Sequence, residues 1–360
     1  MCGHWPSKPA GRGAGYRPRW LLLALNVLSA GVAAGTLGPE PENYEQGKSR
    51  FAEEMVLKHG FDASELRSLL KRAHYRRGII EAMERPYEDR PWHRYRELFL
   101  TPERIVGGVA FWRRNAEVLA RAEQAFGVPP ELIVAILGVE TSYGTRIGEH
   151  RAIDALTTLG FSYPKRAEFF RAELESLLLL ERDERMDPVA AVGSYAGALG
   201  KPQFIPSSYR AYAVDFDGDG RRDLWGSNAD VVGSVANYFQ RHGWRRGESI
   251  AFPARLVADL PEGIEVAQKK PLAPTITADE LRVAGVDWRG AVPGDAPCAL
   301  IRLDGLEDEY WLALANFYVI TRYNHSNLYA MAVYQLSQEI RERFDGGRKR
   351  NSERIAAPDI

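Results

Sequence analysis

Two short stretches of this 360-residue chain hold side chains whose types and spacing can do chemistry. In ELIVAILGVETSYGTRIG, residues 131–148, an apolar run is broken only by Gly138 and ends on Glu140. Glutamates are seldom buried without a partner, and desolvation raises their pKa toward the range useful for proton transfer. A glycoside-cleaving enzyme keeps its general acid protonated near neutrality by this means, with the carboxyl on an apolar wall beside the leaving oxygen. A semi-buried glutamate paired with an arginine fits the same stretch, so by itself it leaves both readings open. Gly144 follows closely and allows backbone or substrate to approach.

The second stretch is DFDGDGRRDLWGSNAD, residues 215–230. Asp215, Asp217 and Asp219 fall at positions 1, 3 and 5 of an EF-hand-type loop, Gly220 at the sharp turn, and Arg221 where a backbone carbonyl is offered. Carboxylates so closely spaced repel one another unless a hard cation compensates, and calcium is the natural candidate. The bidentate glutamate of the standard loop is replaced by Gly226. Closure must come from elsewhere, and Asp230, at the start of the next apolar helix, could supply it in a longer loop, which leaves the last ligand open. Asp223 is left open as a direct ligand, a ligand through water, or neither. Such a site is structural: it pins the irregular region 193–212 onto the helix VVGSVANYFQRHGW, which carries Tyr238.

Aromatic and amide side chains gather in two further places. GSYAGALGKPQFIPSSY supplies Ser194, Tyr195, Gln203, Phe204 and Tyr209, and ITRYNHSNLY supplies Tyr323, Asn324, His325 and Tyr329. Flat aromatic faces and neutral amides suit sugar rings bearing acetamido groups, although each ring also reads as ordinary helix packing.

The elements that must position these residues are mostly helices. FDASELRSLLKRA has Asp62 as N-cap with Glu65 three residues on, a capping-box arrangement. Residues 101–127 read as one helix, capped by Thr101, opened by Pro102, apolar at Ile105, Val109, Trp112, Ala116 and Leu119, and stopped by Gly127. Pro129 and Pro130 open the helix that carries Glu140, and another amphipathic helix spans 166–185. Prolines and short β-like runs such as CALIRL mark a small β insertion at 247–306. Helical pattern then returns, with Leu328, Met331, Ala332, Leu336, Ile340 and Phe344 on one face of the last helix. The expected organisation is therefore a signal peptide or N-terminal anchor (1–34), a linker (35–46), a helical region (47–126), a core with the acidic loop (127–246), the β insertion, a return to the core (307–344) and a polar, loose tail (345–360).

Composition sets the outer bounds. The chain is 45% hydrophobic and 26% charged, an ordinary globular balance, and its net charge of −1 gives no argument for a nucleic-acid partner. The basic run KRAHYRRG reads as a solvated helix face. Basic residues precede WLLLALNVLSAGVAAG, the layout of a secretory signal with cleavage after Ala34; an uncleaved anchor, and with it membrane association, is the alternative. Only Cys2 and Cys298 are present, so signal removal would leave a single thiol and no internal disulfide.

These blocks in this order resemble the membrane-bound lytic murein transglycosylase B family, over about residues 51–344. The stretches that carry the resemblance are GVETSYG, ALTTLGFSYPKRAEFFRAEL, GSYAGALGKPQFIPSSYRAYAVDFDGDGRRDLW, GSVANYF and NFYVITRYNHSNLYAMAVYQL. The resemblance implies a mostly α (α+β) fold: a lysozyme-like helical core, an added α domain, a small β domain and an EF-hand-type calcium loop with Asp215, Asp217, Asp219, Arg221 and Asp230. It implies a periplasmic monomer acting on peptidoglycan glycan strands. The reaction cleaves the β-1,4 bond between N-acetylmuramic acid and N-acetylglucosamine without water, leaving 1,6-anhydromuramoyl ends. By motif the catalytic carboxylate falls on Glu140, and Ser194, Gln203, Tyr238, Tyr323, Asn324 and Tyr329 match residues lining the sugar groove. The chain departs from the family in having no lipobox cysteine, in carrying Phe169 where better-known relatives have a tyrosine, in an extra residue before Asp230, and in having no cell-wall-binding repeat after Phe344. A muramidase on the same glycan, or a calcium-stabilised peptidoglycan-binding protein that no longer cuts, are the other readings.

Overall fold

The computed structural model describes residues 41, 43–84 and 90–356; the expected signal or anchor and most of the linker lie outside them. Helix ends follow local chemistry. Asp62 accepts from Ser64 N and Glu65 N to cap Ala63–Lys71, and Thr101 accepts from Arg104 N to cap Pro102–Arg114. Gly127, at φ 77°, stops the helix Ala116–Phe126 in the left-handed conformation that glycine adopts without penalty. A full reciprocal capping box forms at Thr277 and Glu280, ahead of Ala278–Val283.

The architecture among the described residues is mostly helical, with one six-stranded sheet and a separate two-stranded pair. Six helices run from Asn43–His59 to Ala116–Phe126, and five more, Pro130–Thr141, Ala152–Ser162, Ala167–Glu184, Pro206–Tyr212 and Asn228–Arg241, build the centre. The sheet follows, and then Ala315–Tyr323 and Asn327–Ala356 return to the centre. In spatial order the sheet strands are Val266–Ala267, Pro297–Leu303, Glu309–Leu314, Ala251–Leu256 and Val286–Trp288, with Ile276–Thr277 also paired to Pro297–Leu303. Val266–Ala267 pairs in parallel and the other pairings are antiparallel. A separate two-stranded pair sets His150 opposite Gly193 and Arg151 opposite Val192.

Several boundaries differ from the sequence reading. The expected single helix 101–127 breaks at Asn115, where the side-chain amide donates to Phe111 O at 2.8 Å; that bond competes with helix continuation. The first helix starts at Asn43, inside the expected linker, and the sheet runs to Leu314, past the expected edge at 306. The last helix continues through the expected loose tail to Ala356. KRAHYRRG is not a helix face: it turns the chain between Ala63–Lys71 and Arg77–Met83, and Arg76 reaches inward to the buried Asp154 at 3.1 Å.

The helix Pro130–Thr141 lies at the centre. Every residue in it except Glu131 is buried, because Pro102–Arg114, Ala116–Phe126, Asn228–Arg241 and Asn327–Ala356 all pack around it. Burying a Leu, Ile or Val side chain is worth about 1.5–3 kcal/mol, so this apolar segment is a principal source of the driving force for folding. It also brings Glu140 into a dry environment. The sheet has its own smaller core of Leu281, Val286, Trp288, Cys298, Leu300 and Leu312. Among the described residues no single helix is long and apolar enough to cross a membrane.

Candidate active site

Glu140 stands one residue before the end of its helix, and the way that helix stops fixes its direction. Ser142 and Tyr143 are both left-handed, at φ 48° and 64°. Ser142 N donates to Gly138 O at 3.2 Å and Tyr143 N to Leu137 O at 2.9 Å. A non-glycine residue in that region costs about 1–2 kcal/mol, so two in succession need support from elsewhere. Tyr143 Oη donates to Arg104 O at 2.6 Å. Its ring lies where three glycines leave room: a Cβ on Gly107, Gly108 or Gly138 would fall 2.9, 2.7 or 2.6 Å from a Tyr143 atom. Gly138, the only break in the apolar run, is thus the floor beneath the tyrosine that holds the turn. Arg104 completes the clamp, with Nε donating to Gly138 O at 2.9 Å and Nη2 to Ser142 Oγ at 3.4 Å. Its charge also suits the negative end of the helix.

Glu140 is only 2% exposed, and Tyr329 Oη donates to its Oε1 at 2.6 Å. Burial pushes the carboxyl well above the usual carboxylate range, and the Tyr329 bond opposes that rise. Desolvation therefore favours the protonated form of this glutamate, which can release and recover its proton.

Three tyrosines gather near it, two of them buried and Tyr323 partly buried. Tyr329 is wholly buried, Tyr323 Oη donates to Pro202 O at 2.6 Å, and Tyr238 Oη donates to Arg322 O. The rings of Tyr238 and Tyr323 lie 4.9 Å apart, and Phe204 is 5.6 Å from the first and 5.9 Å from the second. Burial, and then the Glu140 charge, raise the phenols of Tyr323 and Tyr329, which stay protonated and act only as neutral donors. Tyr95, on the short helix Trp92–Arg96, lies close enough to Tyr329 to raise its phenol further.

Ser194 and Gln203 occupy neighbouring turns, because Leu199 bridges to both Gly193 and Phe204. Ser194 Oγ accepts from Ala196 N at 3.2 Å and Ala198 N at 3.0 Å, which leaves its O–H proton to donate. Gln203 sits at φ 53° and anchors its amide nitrogen on Ile147 O and Gly200 O at 3.0 and 2.9 Å. Asn324 is buried at the end of Ala315–Tyr323, and beside it Arg322 Nη2 lies 3.0 Å from His325 Nδ1. Phe169 packs edge-on to Phe170 beneath the Arg166 guanidinium.

Some contributors gave no sequence signal. Arg104 lies far upstream of the turn it clamps. Thr141 Oγ1 donates to Lys201 O at 2.8 Å and accepts from Gly144 N at 3.0 Å, tying the Glu140 turn to the Gln203 loop. Glu173 is a second deeply buried glutamate, bonded to Ser207.

In the acidic loop, carboxylate oxygens of Asp215, Asp217 and Asp230 all lie within 4.8 Å of one another. Asp230 is fully buried; its Oδ1 accepts from Phe216 N at 2.7 Å and its Oδ2 from Asp223 N at 2.7 Å, so it closes the loop from the following helix. Asp219 places Oδ1 on Arg221 N at 2.8 Å. Asp223 turns Oδ1 to Trp225 N and Gly226 N, both at 2.8 Å. Three converging carboxylates are the hard oxygen donors a calcium ion takes.

The family model described as the Transglycosylase SLT domain matches residues 43–338, most of the chain. The protein belongs to this family. It is 44% identical over 303 residues to the membrane-bound lytic murein transglycosylase B of Escherichia coli (strain K12), with 81% of each chain covered. Among solved structures it is similar to the soluble lytic transglycosylase SltB1 of Pseudomonas aeruginosa. There the identity is 46% and the TM-score 0.77, over 83% of this chain and 99% of that one. It is also similar to the Escherichia coli lytic transglycosylase Slt35 in complex with calcium, at 43% identity and TM-score 0.75, over 86% of this chain and 96% of that one. The transglycosylase likeness therefore spans both the Glu140 helix and the acidic loop, and the fold is the lysozyme-like, mostly helical one.

Proposed function

We propose that this protein is a lytic transglycosylase that cuts peptidoglycan glycan strands between N-acetylmuramic acid and N-acetylglucosamine, with Glu140 as its single acid and base. The observation that carries the reading is the isolation of Glu140: a dry carboxyl, raised in pKa, held by the Tyr329 hydroxyl at 2.6 Å. The other buried carboxylates among the described residues are Asp154, Glu173 and Asp230. Asp154 is engaged by Arg76 and His74 N, Glu173 by Ser207, and Asp230 by backbone amides of the acidic loop. A two-carboxylate glycosidase needs a second acid beside the scissile bond, and these three are already bonded to other groups.

With one carboxyl the substrate supplies the nucleophile. Glu140 donates its proton to the leaving glycosidic oxygen while the muramoyl acetamido oxygen attacks the anomeric carbon. The resulting carboxylate takes the proton of the sugar's own C6 hydroxyl. That oxygen then bonds the anomeric carbon and displaces the acetamido oxygen, which closes the 1,6-anhydro ring. Tyr329 donates to the carboxylate formed in the first step and keeps it aimed for the second. Ser194, with its free O–H proton, and Asn324 orient the acetamido group or the glutamate. Gln203, Tyr238 and Tyr323 line the sugar groove.

Asp215, Asp217 and Asp230 fit a structural calcium ion, with Asp219 and the Arg221 carbonyl as further loop ligands. The ion would supply charge compensation that lets the loop fold against Asn228–Arg241. The protein acts in the periplasm after export, soluble or held by its N-terminal segment, as a monomer. Mass spectrometry of muropeptides released from purified sacculi tests the reaction. Anhydromuramoyl ends are expected, and reducing ends about 18 mass units heavier would mean that water is the nucleophile and the reaction a hydrolysis.

A further inference from the structure

The loop that carries Gln203 is held in an unfavourable conformation. Gln203 is a non-glycine residue in the left-handed region, and such a residue persists only where the surroundings over-determine it. Upstream the anchors are plain: Lys201 N donates to Leu224 O at 2.8 Å, Thr141 Oγ1 to Lys201 O at 2.8 Å, and Tyr323 Oη to Pro202 O at 2.6 Å. Downstream the chain enters the helix Pro206–Tyr212 through Ile205, which offers no side-chain cap. Pro206 has no N–H, so the first donor of that helix belongs to Ser207.

That donor is met from another helix. Glu173, on Ala167–Glu184, accepts from Ser207 N through Oε2 at 2.9 Å and from Ser207 Oγ through Oε1 at 2.8 Å. Glu173 is 4% exposed, so water cannot replace it. Burial drives its carboxyl up to about 7, with the two Ser207 bonds and the Arg166 charge pulling the other way. A buried carboxylate persists in such a place when its donors are fixed, and these donors sit four residues past Gln203.

We infer that Glu173 is a positioning residue for the reaction: acting through Ser207 it clamps the downstream end of the 199–205 loop and keeps Gln203 aimed at the sugar. The inference rests on the reading of Gln203 as a groove residue. Glu173 acts at a distance from Glu140, through Ser207, which engages both its oxygens. Removing it leaves the Ser207 N–H without an acceptor, and the strained turn relaxes toward an ordinary backbone conformation. The carboxamide of a glutamine can still accept from Ser207 N and donate to Ser207 Oγ, so Glu173→Gln keeps the clamp without the charge.

The test is a double-mutant cycle on the full mature chain, with the steady-state rate of muropeptide release as the readout. Glu173→Ala is expected to lower kcat/KM about tenfold, chiefly through KM, and Glu173→Gln to restore it to within about twofold of wild type. In a Gln203→Ala background, Glu173→Ala should cost nothing further, because the side chain it positions is gone. If Glu173→Ala does not fold, Ser207→Ala enters the same cycle, with a smaller loss of about threefold expected. Losses that multiply in the double variant, or a folded Glu173→Ala with wild-type kcat/KM, would overturn the inference. A Gln203→Ala variant as active as wild type would overturn the groove role of Gln203 and the inference with it. That failure is distinct from a damaging Gln203→Ala whose effect multiplies.

Discussion

Replacing Tyr329 by phenylalanine removes one oxygen from the wall behind Glu140 and leaves the ring in place. The lost bond is short, 2.6 Å, and lies in a fully buried site, so water does not replace it. A hydrogen bond to a charged group is worth about 1.5–3 kcal/mol, and it favours the ionised carboxylate over the neutral acid. Its loss therefore raises an already elevated Glu140 pKa further. The first chemical step needs the protonated acid, so activity falls as pH rises through the Glu140 pKa. In Tyr329→Phe that alkaline limb should therefore move to higher pH. The plateau should fall about tenfold, because the carboxylate loses the group that aims it for the ring-closing step. The assay is kcat/KM for anhydromuropeptide release across pH, with melting curves at each pH to show that the variant remains folded. A limb that stays in place, or moves to lower pH, would refute the claim that Tyr329 stabilises the ionised form.

Glu140→Gln should gain thermal stability relative to wild type as pH rises. The folded Glu140 pKa lies above the unfolded value near 4.5, so its favourable contribution is complete below that value and is lost as pH climbs through the folded one. A melting difference that stays flat with pH would contradict the burial argument. Gly138→Ala should destabilise by about 1–3 kcal/mol in urea, although glycine to alanine within a helix ordinarily stabilises by about 1 kcal/mol. The sign is set by the Tyr143 hydroxyl, 2.6 Å from the added carbon, and an unchanged midpoint would mean that the turn yields. Chelation should lower the Tm of the calcium-loaded protein and leave Asp230→Asn unaffected, because an ion that binds only the folded state stabilises it by linkage.

Much of the site was legible along the chain because its signals are local. Proline at the start and a carboxylate at the tip of an apolar run located the Glu140 helix, and Asp62, Thr101 and Gly127 marked helix ends through single-residue chemistry. The alternating aspartates and glycines of residues 215–220 singled out the acidic loop for the same reason. What pattern could not give was pairing over distance. Tyr329 meets Glu140 across 189 positions, and Glu173 meets Ser207 across 34, through tertiary packing that no periodicity encodes. Asn115 carries a local signal, a side-chain amide able to bond its own backbone, but the apolar spacing on both sides concealed the break. The purpose of Gly138 emerged only with Tyr143 lying against it.

The central claim is that one carboxyl does the work of both acid and base. Anhydromuramoyl release from sacculi by wild type and by Glu140→Gln, at equal concentration and with matched melting curves, tests it most directly. Release by the wild type is expected, with a loss of at least about a thousandfold in a folded Glu140→Gln. Anhydromuramoyl release by Glu140→Gln at the wild-type rate would place the acid elsewhere in the molecule.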